Sequence, residues 1–369
     1  MDLLSELLEE RAERNNNTVP TQGNSGGEEE GDTLTCDFLQ TRFGQNYVKQ
    51  LCNFAEAQVT EIEHVCNDTL KPTGPGRRYM DIRCCIIIYL TWLTSGWTIS
   101  KMASLFKTPR ANIQRTLTYV MSGLTESLKA AYLPKSLEEI EFAKPVRKFK
   151  FFPHATGAVD ATLIPIRKPM DRDTNNAYYS GKHACHGAKI QVVVDPSGKA
   201  IHVSSLIPGR RHDSILFRES GVPQFFKIKR EKNTKNYAPG HCYLLADSGY
   251  IGLDDIYPEL VVSRKKPRNG ELAQESVEWN SKLHSDRAIV ENFFGRMKGY
   301  FYILSVPYRG ALNALEDLVV TCICLTNLLL KTNPLRSNEE EEDSSTTSCD
   351  SDILVIIESS PKRTPKTGK

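Results

Sequence analysis

Two carboxylates stand at the ends of apolar, strand-like runs: Asp160 follows Gly157-Ala158-Val159, and Asp247 follows Tyr243-Leu244-Leu245-Ala246. A third acid, Glu291, falls on a later stretch of helical spacing; the intervals are 87 and 44 residues. A carboxylate at a buried strand end is costly unless it is paired or bound to a cation. Strand ends that meet at one sheet edge bring Asp160 and Asp247 together, and a helix packed over that edge adds Glu291. Three carboxylates with waters and phosphate oxygens make an all-oxygen site, which suits Mg²⁺ or Mn²⁺ and not Zn²⁺. Two such ions about 3.5–4 Å apart activate a water or a 3′-hydroxyl and stabilise the leaving oxygen, which is phosphodiester cleavage and strand transfer. The alternative is that these are three ordinary members of a set of 45 acids, solvated or capping helices. Asp213, after His212, is either a fourth acid near the metals or a helix N-cap.

The elements that must position these groups follow from periodicity. Strands are expected over 155–166, 189–194, 243–246 and 260–263. The turn Asp195-Pro196-Ser197-Gly198 returns the chain as a hairpin partner over 200–207. Helices are expected over 213–220, 286–300 and 312–330, with helix or turn over 252–257. Hairpin strands followed by alternating strands and helices give an α/β layout with a mixed sheet. Upstream the texture is all-helical. Helical spacing runs over 36–69, and an apolar helix over 81–93 ends at Ser95-Gly96. Thr98 caps a short helix to Phe106, Lys107–Arg110 form a turn, and a longer helix runs over 111–128. Short helix, turn, longer helix is the helix-turn-helix outline, with Ala103 at the crossing and Ile113 packing onto it. The front of the last helix offers Arg110, Gln114 and Arg115 to phosphates or base edges. A plain helical bundle has such turns too, and this one lacks the usual Gly.

Net charge is only +2, but it is unevenly distributed. Residues 1–68 carry 4 basic against 14 acidic side chains, or −10; residues 69–335 carry 38 against 23, or +15; residues 336–369 carry 5 against 8, or −3. A basic body points to a polyanionic partner, most often nucleic acid. The longest apolar runs, 84–93 and 318–330, fall short of the roughly 20 residues that span a bilayer, and the acidic start opens no signal peptide. Ten scattered cysteines without a C-x-x-C pair point to a reduced, intracellular protein. His and Cys residues at 183, 185, 186, 241 and 242 fit no standard zinc-finger spacing.

Four blocks occur in order: Gly157-Ala158-Val159-Asp160-Ala161-Thr162, Pro208-Gly209-Arg210-Arg211-His212-Asp213-Ser214, Leu245-Ala246-Asp247-Ser248-Gly249-Tyr250, and the run from His284 to Gly299 containing Asp286-Arg287-Ala288-Ile289-Val290-Glu291. Together they resemble the PIF/Harbinger transposases and the nucleases derived from them, within the DDE superfamily. The resemblance runs from about residue 152 to 304, and less tightly from 79 to 124. It implies an RNase H-like catalytic domain with a mixed sheet, whose acids on matching positions are Asp160, Asp247 and Glu291. It also implies two divalent ions, Mg²⁺ or Mn²⁺, DNA as substrate at transposon ends and target, and a separate Myb-like DNA-binding partner. Lys182, His183 and Lys189 are candidates for DNA phosphates near the site, as are Arg296 and Lys298 beyond Glu291. Arg264, Lys265 and Lys266 hold the DNA backbone, form an import signal with Pro267-Arg268, or are a solvated loop. Arg287 and Glu291 are i, i+4 and form a local ion pair.

The expected organisation is an acidic disordered N-terminus (1–34), a helical region with a helix-turn-helix (35–143), the nuclease domain (144–335) and a disordered acidic tail (336–369). Ile353-Leu354-Val355-Ile356-Ile357 in that tail lies between Asp350-Ser351-Asp352 and Glu358. The run resembles a SUMO-interacting motif, adding a strand to SUMO or a SUMOylated protein; the alternative is docking on the chain's own body. With Pro361-Lys362-Arg363 it implies a nuclear protein. A second copy of the chain is a further candidate partner; a membrane is not. The reading is a metal-dependent endonuclease or transposase that cuts and joins DNA phosphodiesters. The rivals are a domesticated, catalytically silent adaptor for DNA or chromatin, and an RNase or repair nuclease on the same fold.

Overall fold

The computed structural model describes residues 35–70, 81–135, 147–224, 226–227, 243–267 and 270–332. Six helices come first: α1 (Cys36–Phe43), α2 (Tyr47–Cys52), α3 (Glu56–Val65), α4 (Ile82–Ser95), α5 (Ile99–Leu105) and α6 (Arg110–Tyr132). The caps explain several of their limits. Asp81 accepts from Cys84 N–H at 2.7 Å to open α4, and Gly96, at φ 62°, closes it. Thr98 caps α5 by accepting from Lys101 N–H. Between α5 and α6 the left-handed turn position is filled by Lys107, at φ 47°, and Thr108 N–H closes the turn on Ala103 C=O at 3.1 Å. Ile113 is fully buried and Ala103 packs against the same core, so the helix-turn-helix outline is present among the described residues.

The second part is α/β: β1 (Ala155–Pro165), α7 (Arg172–Tyr178), β2 (Tyr179–Ser180), β3 (Cys185–Val194), β4 (Ala200–Val203), β5 (Ile207–Pro208), α8 (Asp213–Glu219), β6 (Tyr243–Ala246), β7 (Leu260–Val261), α9 (Gln274–Tyr300) and α10 (Asn313–Thr332). The sheet order is β2-β3-β1-β6-β7, with β4 and β5 both pairing with β3. β1 runs antiparallel to β3, and β6 runs parallel to both of its neighbours, β1 and β7. This is the mixed, RNase H-like sheet expected of the second part, preceded by an all-helical region.

Side-chain alternation sorts the sheet's two faces. Ala158, Val192, Val194 and Leu245 join one large core with the helical region and with α9 and α10. Val159, Val193, Leu244 and Ala246 join a second, smaller core with Phe217 of α8 and Tyr250. The large core runs from Leu39 to Leu330, so the helices and the sheet share it. Residues 313–331 of α10 are apolar and long enough to cross a membrane, yet 78% of that window is buried inside the fold, as in a core helix.

Several limits differ from the expectation, among them that 36–69 is three helices, that the last helix of the helical region runs to Tyr132, that β7 ends at Val261, and that α7 and β2 precede β3. The hairpin return is two strands, not one, because Ser204 Oγ accepts Gln191 N–H at 3.0 Å in place of a ladder carbonyl. β3 begins at Cys185 rather than 189 because its first residues pair with β2. α9 begins at Gln274, not at 286. Its early turns are largely polar and carry no strong apolar stripe, but Trp279 anchors them edge-on to Phe152 at 5.1 Å.

Candidate active site

The sheet register dictates how the first two acids meet. β1 and β6 pair in parallel with Val159 opposite Ala246. One residue further along each chain are Asp160 and Asp247, neighbours where β6 stops; only Asp247 stands at a strand end as expected, because β1 stays paired with β3 through Pro165 and so carries Asp160 within the strand. By alternation both share the face of Ala158 and Leu245, which is the face that α9 covers. Arg287 and Glu291 are one turn apart on α9.

Arg287 sits among all three acids. Its guanidinium lies 3.5 Å from Asp160 Oδ2, 3.6 Å from Asp247 Oδ1 and 3.6 Å from Glu291 Oε1. Its side chain is 4% exposed, and its buried Nε has no hydrogen-bond partner among the described residues. Asp160 Oδ1 also accepts from Ala161 N–H at 2.7 Å. Burial pushes the Asp160 carboxyl up to about 6; the Ala161 hydrogen bond and Arg287 pull it down, and Asp247 and Asp213 push it up. The expected Arg287–Glu291 pair is therefore present, but it is one side of a three-acid cluster.

Asp213 is not the helix N-cap, because His212 occupies that position and Asp213 is the first residue of α8. Its carboxylate accepts from Lys189 Nζ at 2.9 Å, and Lys189 also donates to Arg211 C=O at 3.0 Å. Gly249, two residues after Asp247, has space for only an ordinary contact with Asp213, so the fourth acid borders the same loop. Tyr250 underlies the site, donating to Gln191 Oε1 at 3.2 Å; burial first and the acids second raise its phenol well above the ordinary value.

The basic candidates fall into four settings. Lys182 and His183 are exposed after β2. Burial and then the charges of Lys182, Lys189 and Lys298 hold the His183 imidazole down, so these cations lie around it. Lys298 is half-buried, bonded to Leu163 C=O at 2.9 Å, and burial lowers its ammonium; Arg296, a turn from Glu291, is partly buried and its guanidinium is likewise lowered. Arg264, Lys265 and Lys266 are exposed just after β7, whose end lies at the same sheet edge as Asp247 because β6 and β7 are parallel. Arg264 stacks on Trp279 at 4.8 Å, and Asn280 clamps its backbone at 2.7 and 3.0 Å. Arg110, Gln114 and Arg115 are exposed on α6, with Arg115 bonded to Ala111 C=O at 3.3 Å and to Asn112. The residues 353–357 and the 241–242 pair lie outside the described residues.

Two contributors escaped the sequence reading. The central role of Arg287 has no local signature, since its partners lie 127 and 40 residues away. Asp286, 7% exposed, accepts from Phe151 and Phe152 N–H at 2.8 and 2.9 Å and ties the entry to β1 onto α9. An acid beside Arg inside an amphipathic helix was its available signal.

Residues 159–327 match the family described as DDE superfamily endonuclease, a span that includes Asp160, Asp213, Asp247, Arg287 and Glu291. The chain is 32% identical over 152 residues to a probable transposase for insertion sequence element IS702 of Microchaete diplosiphon, covering 41% of this chain and 49% of that protein. It is 22% identical over 253 residues to an ALP1-like protein of Arabidopsis thaliana, covering 66% of this chain and 60% of that protein. The chain thus spans roughly half of each curated relative. No solved structure matches. Most of the sheet, α9 and most of α10, with every acid of the cluster, therefore fall in a segment similar to DDE superfamily endonucleases.

Proposed function

We propose that this protein is a metal-dependent DNA endonuclease of the transposase type, of the Harbinger subfamily, cutting and joining phosphodiesters at transposon ends. One observation carries the reading: three carboxylates, from the middle of β1, the end of β6 and α9, converge on one buried cationic side chain. The donor set fits a divalent ion. It is all oxygen, and its most buried member, Asp160, is pushed up to about 6, so full ionisation calls for more positive charge than Arg287 alone supplies. Asp160 and Asp247 would hold the two ions, Glu291 would complete the coordination of the second ion, and Asp213 is the further candidate ligand. Bound Mg²⁺ or Mn²⁺, two ions per site, would acidify the attacking water or 3′-hydroxyl and offset charge on the leaving oxygen.

The remaining work belongs to the chain itself. Arg287 holds three mutually repelling carboxylates at one point, which lowers the reorganisation needed when DNA arrives. Asp160 gives up its proton above pH of about 6, which makes cation binding at the site pH-dependent. Lys182 and His183, and Arg264 to Lys266 at the same edge, offer phosphate contacts on either side of the acids. Arg110, Gln114 and Arg115 on α6 offer a second DNA surface, directly or through a Myb-like partner. Nuclear residence, SUMO or a SUMOylated protein as a ligand of residues 353–357, and self-association belong to the same reading.

The test is plasmid cleavage by the purified chain with Mg²⁺ or Mn²⁺, with an EDTA control, against Asp247→Ala. Metal-dependent cleavage lost in the variant is expected. Intact plasmid in every arm, with candidate terminal repeats and a Myb-like partner supplied, overturns the enzyme reading in favour of a silent adaptor.

A further inference from the structure

A second cluster of ligand atoms lies far from the acids in sequence, in the helical region. Cys36, the first residue of α1, and Cys84, in the first turn of α4, have their sulfurs 3.5 Å apart. Asp81 Oδ2 is 3.5 Å from Cys84 Sγ, and Asp81 Oδ1 is 3.9 Å from Cys36 Sγ. Among the described residues these three offer ligand atoms all within 4.8 Å of one another.

We propose that Cys36, Asp81 and Cys84 form a structural Zn²⁺ site that pins α1 to the start of α4. The edges are the argument. With Zn–S about 2.3 Å and Zn–O about 2.0–2.2 Å, a tetrahedral ion sets S···S near 3.8 Å and S···O near 3.5–3.7 Å. The observed S···S distance, 3.5 Å, and the Cys84 Sγ–Asp81 Oδ2 distance, 3.5 Å, lie within a few tenths of an ångström of those edges, and Cys36 Sγ approaches the other carboxylate oxygen, Oδ1, at 3.9 Å. Two soft thiolates with a carboxylate select Zn²⁺ over Mg²⁺. Both sulfurs sit at helix N-termini, where the positive end of the dipole favours the thiolate. The nearby cation cannot serve instead, because Arg83 is taken by Glu63 at 2.7 Å and by Glu56. Asp81 is exposed, so water can fill the fourth position. Without the ion, burial raises both thiols and Asp81 adds to the rise, which keeps the pair protonated.

The experiment uses the full chain and Co²⁺ as a probe. Thiolate-to-cobalt charge-transfer absorption arises only from sulfur ligands, so the acid cluster stays silent. Wild type is expected to show the band at about one Co²⁺ per chain and to lose it on adding Zn²⁺. Cys36→Ser and Cys84→Ser abolish it, and Cys185→Ser leaves it. Asp81→Asn keeps a good helix cap but loses the charge, and weakens Co²⁺ binding about tenfold or more. Should the Cys variants fail to fold, Zn²⁺ must still protect Cys36 of the wild-type chain from alkylation. No band in the wild type, a band that survives both Cys variants, absence of alkylation protection, or a Cys36–Cys84 disulfide in the purified reduced-buffer protein each overturns the site.

Discussion

Two buried polar clusters in this molecule are built on opposite plans. Where α6, α10 and β4 meet, Asn327, 3% exposed, donates to Tyr132 C=O at 3.0 Å and to Ala200 C=O at 2.8 Å and accepts from Ala200 N–H at 2.9 Å. Beside it Thr125 and Thr321 share a hydrogen bond at 3.0 Å. Those groups are neutral and matched, so their burial fixes how the helical region seats on the sheet. At the other cluster Arg287 faces three carboxylates at 3.5–3.6 Å, looser than a charge-assisted hydrogen bond, and its Nε is left unmatched. A satisfied neutral network holds a fold together. An under-satisfied charged one is stable only because the fold imposes it, and it is the place where a ligand of opposite charge gains most.

That contrast can be broken from either side. The largest effect belongs to the charged cluster: Asp247→Ala should lower metal-dependent cleavage roughly a thousandfold or more in single-turnover assays, with the fold unchanged by circular dichroism. Retained cleavage would remove Asp247 from the site. Next comes the neutral cluster, where Asn327→Ala strands three backbone groups in the core. Denaturant unfolding should show a loss of about 3–5 kcal/mol, whereas a loss below about 1 kcal/mol would mean the network is incidental.

Asp160 should behave in the opposite sense. Its folded carboxyl titrates near 6, above its ordinary 3.8, so the folded chain binds the proton more tightly than the unfolded one. Its contribution to stability is therefore fully present below about pH 4 and is lost as pH rises through about 6. Asp160→Asn should raise stability by about 1–2 kcal/mol above pH of about 6 while abolishing cleavage, a gain that disappears in acid. A variant less stable than wild type at neutral pH would show that the attraction of Arg287 outweighs the burial cost. The smallest effect is expected of Thr321→Val, about 1 kcal/mol or less, since its partner Thr125 also donates to Met121 C=O at 3.0 Å.

The same contrast explains what could be read from the chain before folding. Asp160, Asp247 and Glu291 were legible because each lies in or directly after an element whose apolar period is local, and because the flanking blocks resemble a known family, although Asp160 proves to sit within β1 and not at its end. Their convergence then follows from one register, Val159 opposite Ala246. Arg287 was visible only as an i, i+4 neighbour of Glu291, because its other two partners come from distant strands. Asn327 lies inside an apolar run, where a lone amide reads as a flaw until β4 and the end of α6 are brought to it. The first three turns of α9 were missed because their apolar stripe is weak: Val277 is exposed, and Trp279 holds them to the body. Cys36 and Cys84 are 48 residues apart, and their meeting depends on how α1 docks against α4, which no local pattern encodes.

The central claim is that the acids around Arg287 are a divalent-cation centre. Its most direct test is Mn²⁺ binding to the full chain, followed by electron paramagnetic resonance from about pH 8 to about pH 5. Wild type should bind at neutral pH and lose affinity as the pH falls through about 6, the range where Asp160 takes up its proton. Asp160→Asn should bind weakly at every pH, and Cys36→Ser should bind like the wild type. Equal Mn²⁺ binding by wild type and Asp160→Asn across that range, or none by either, would contradict the account.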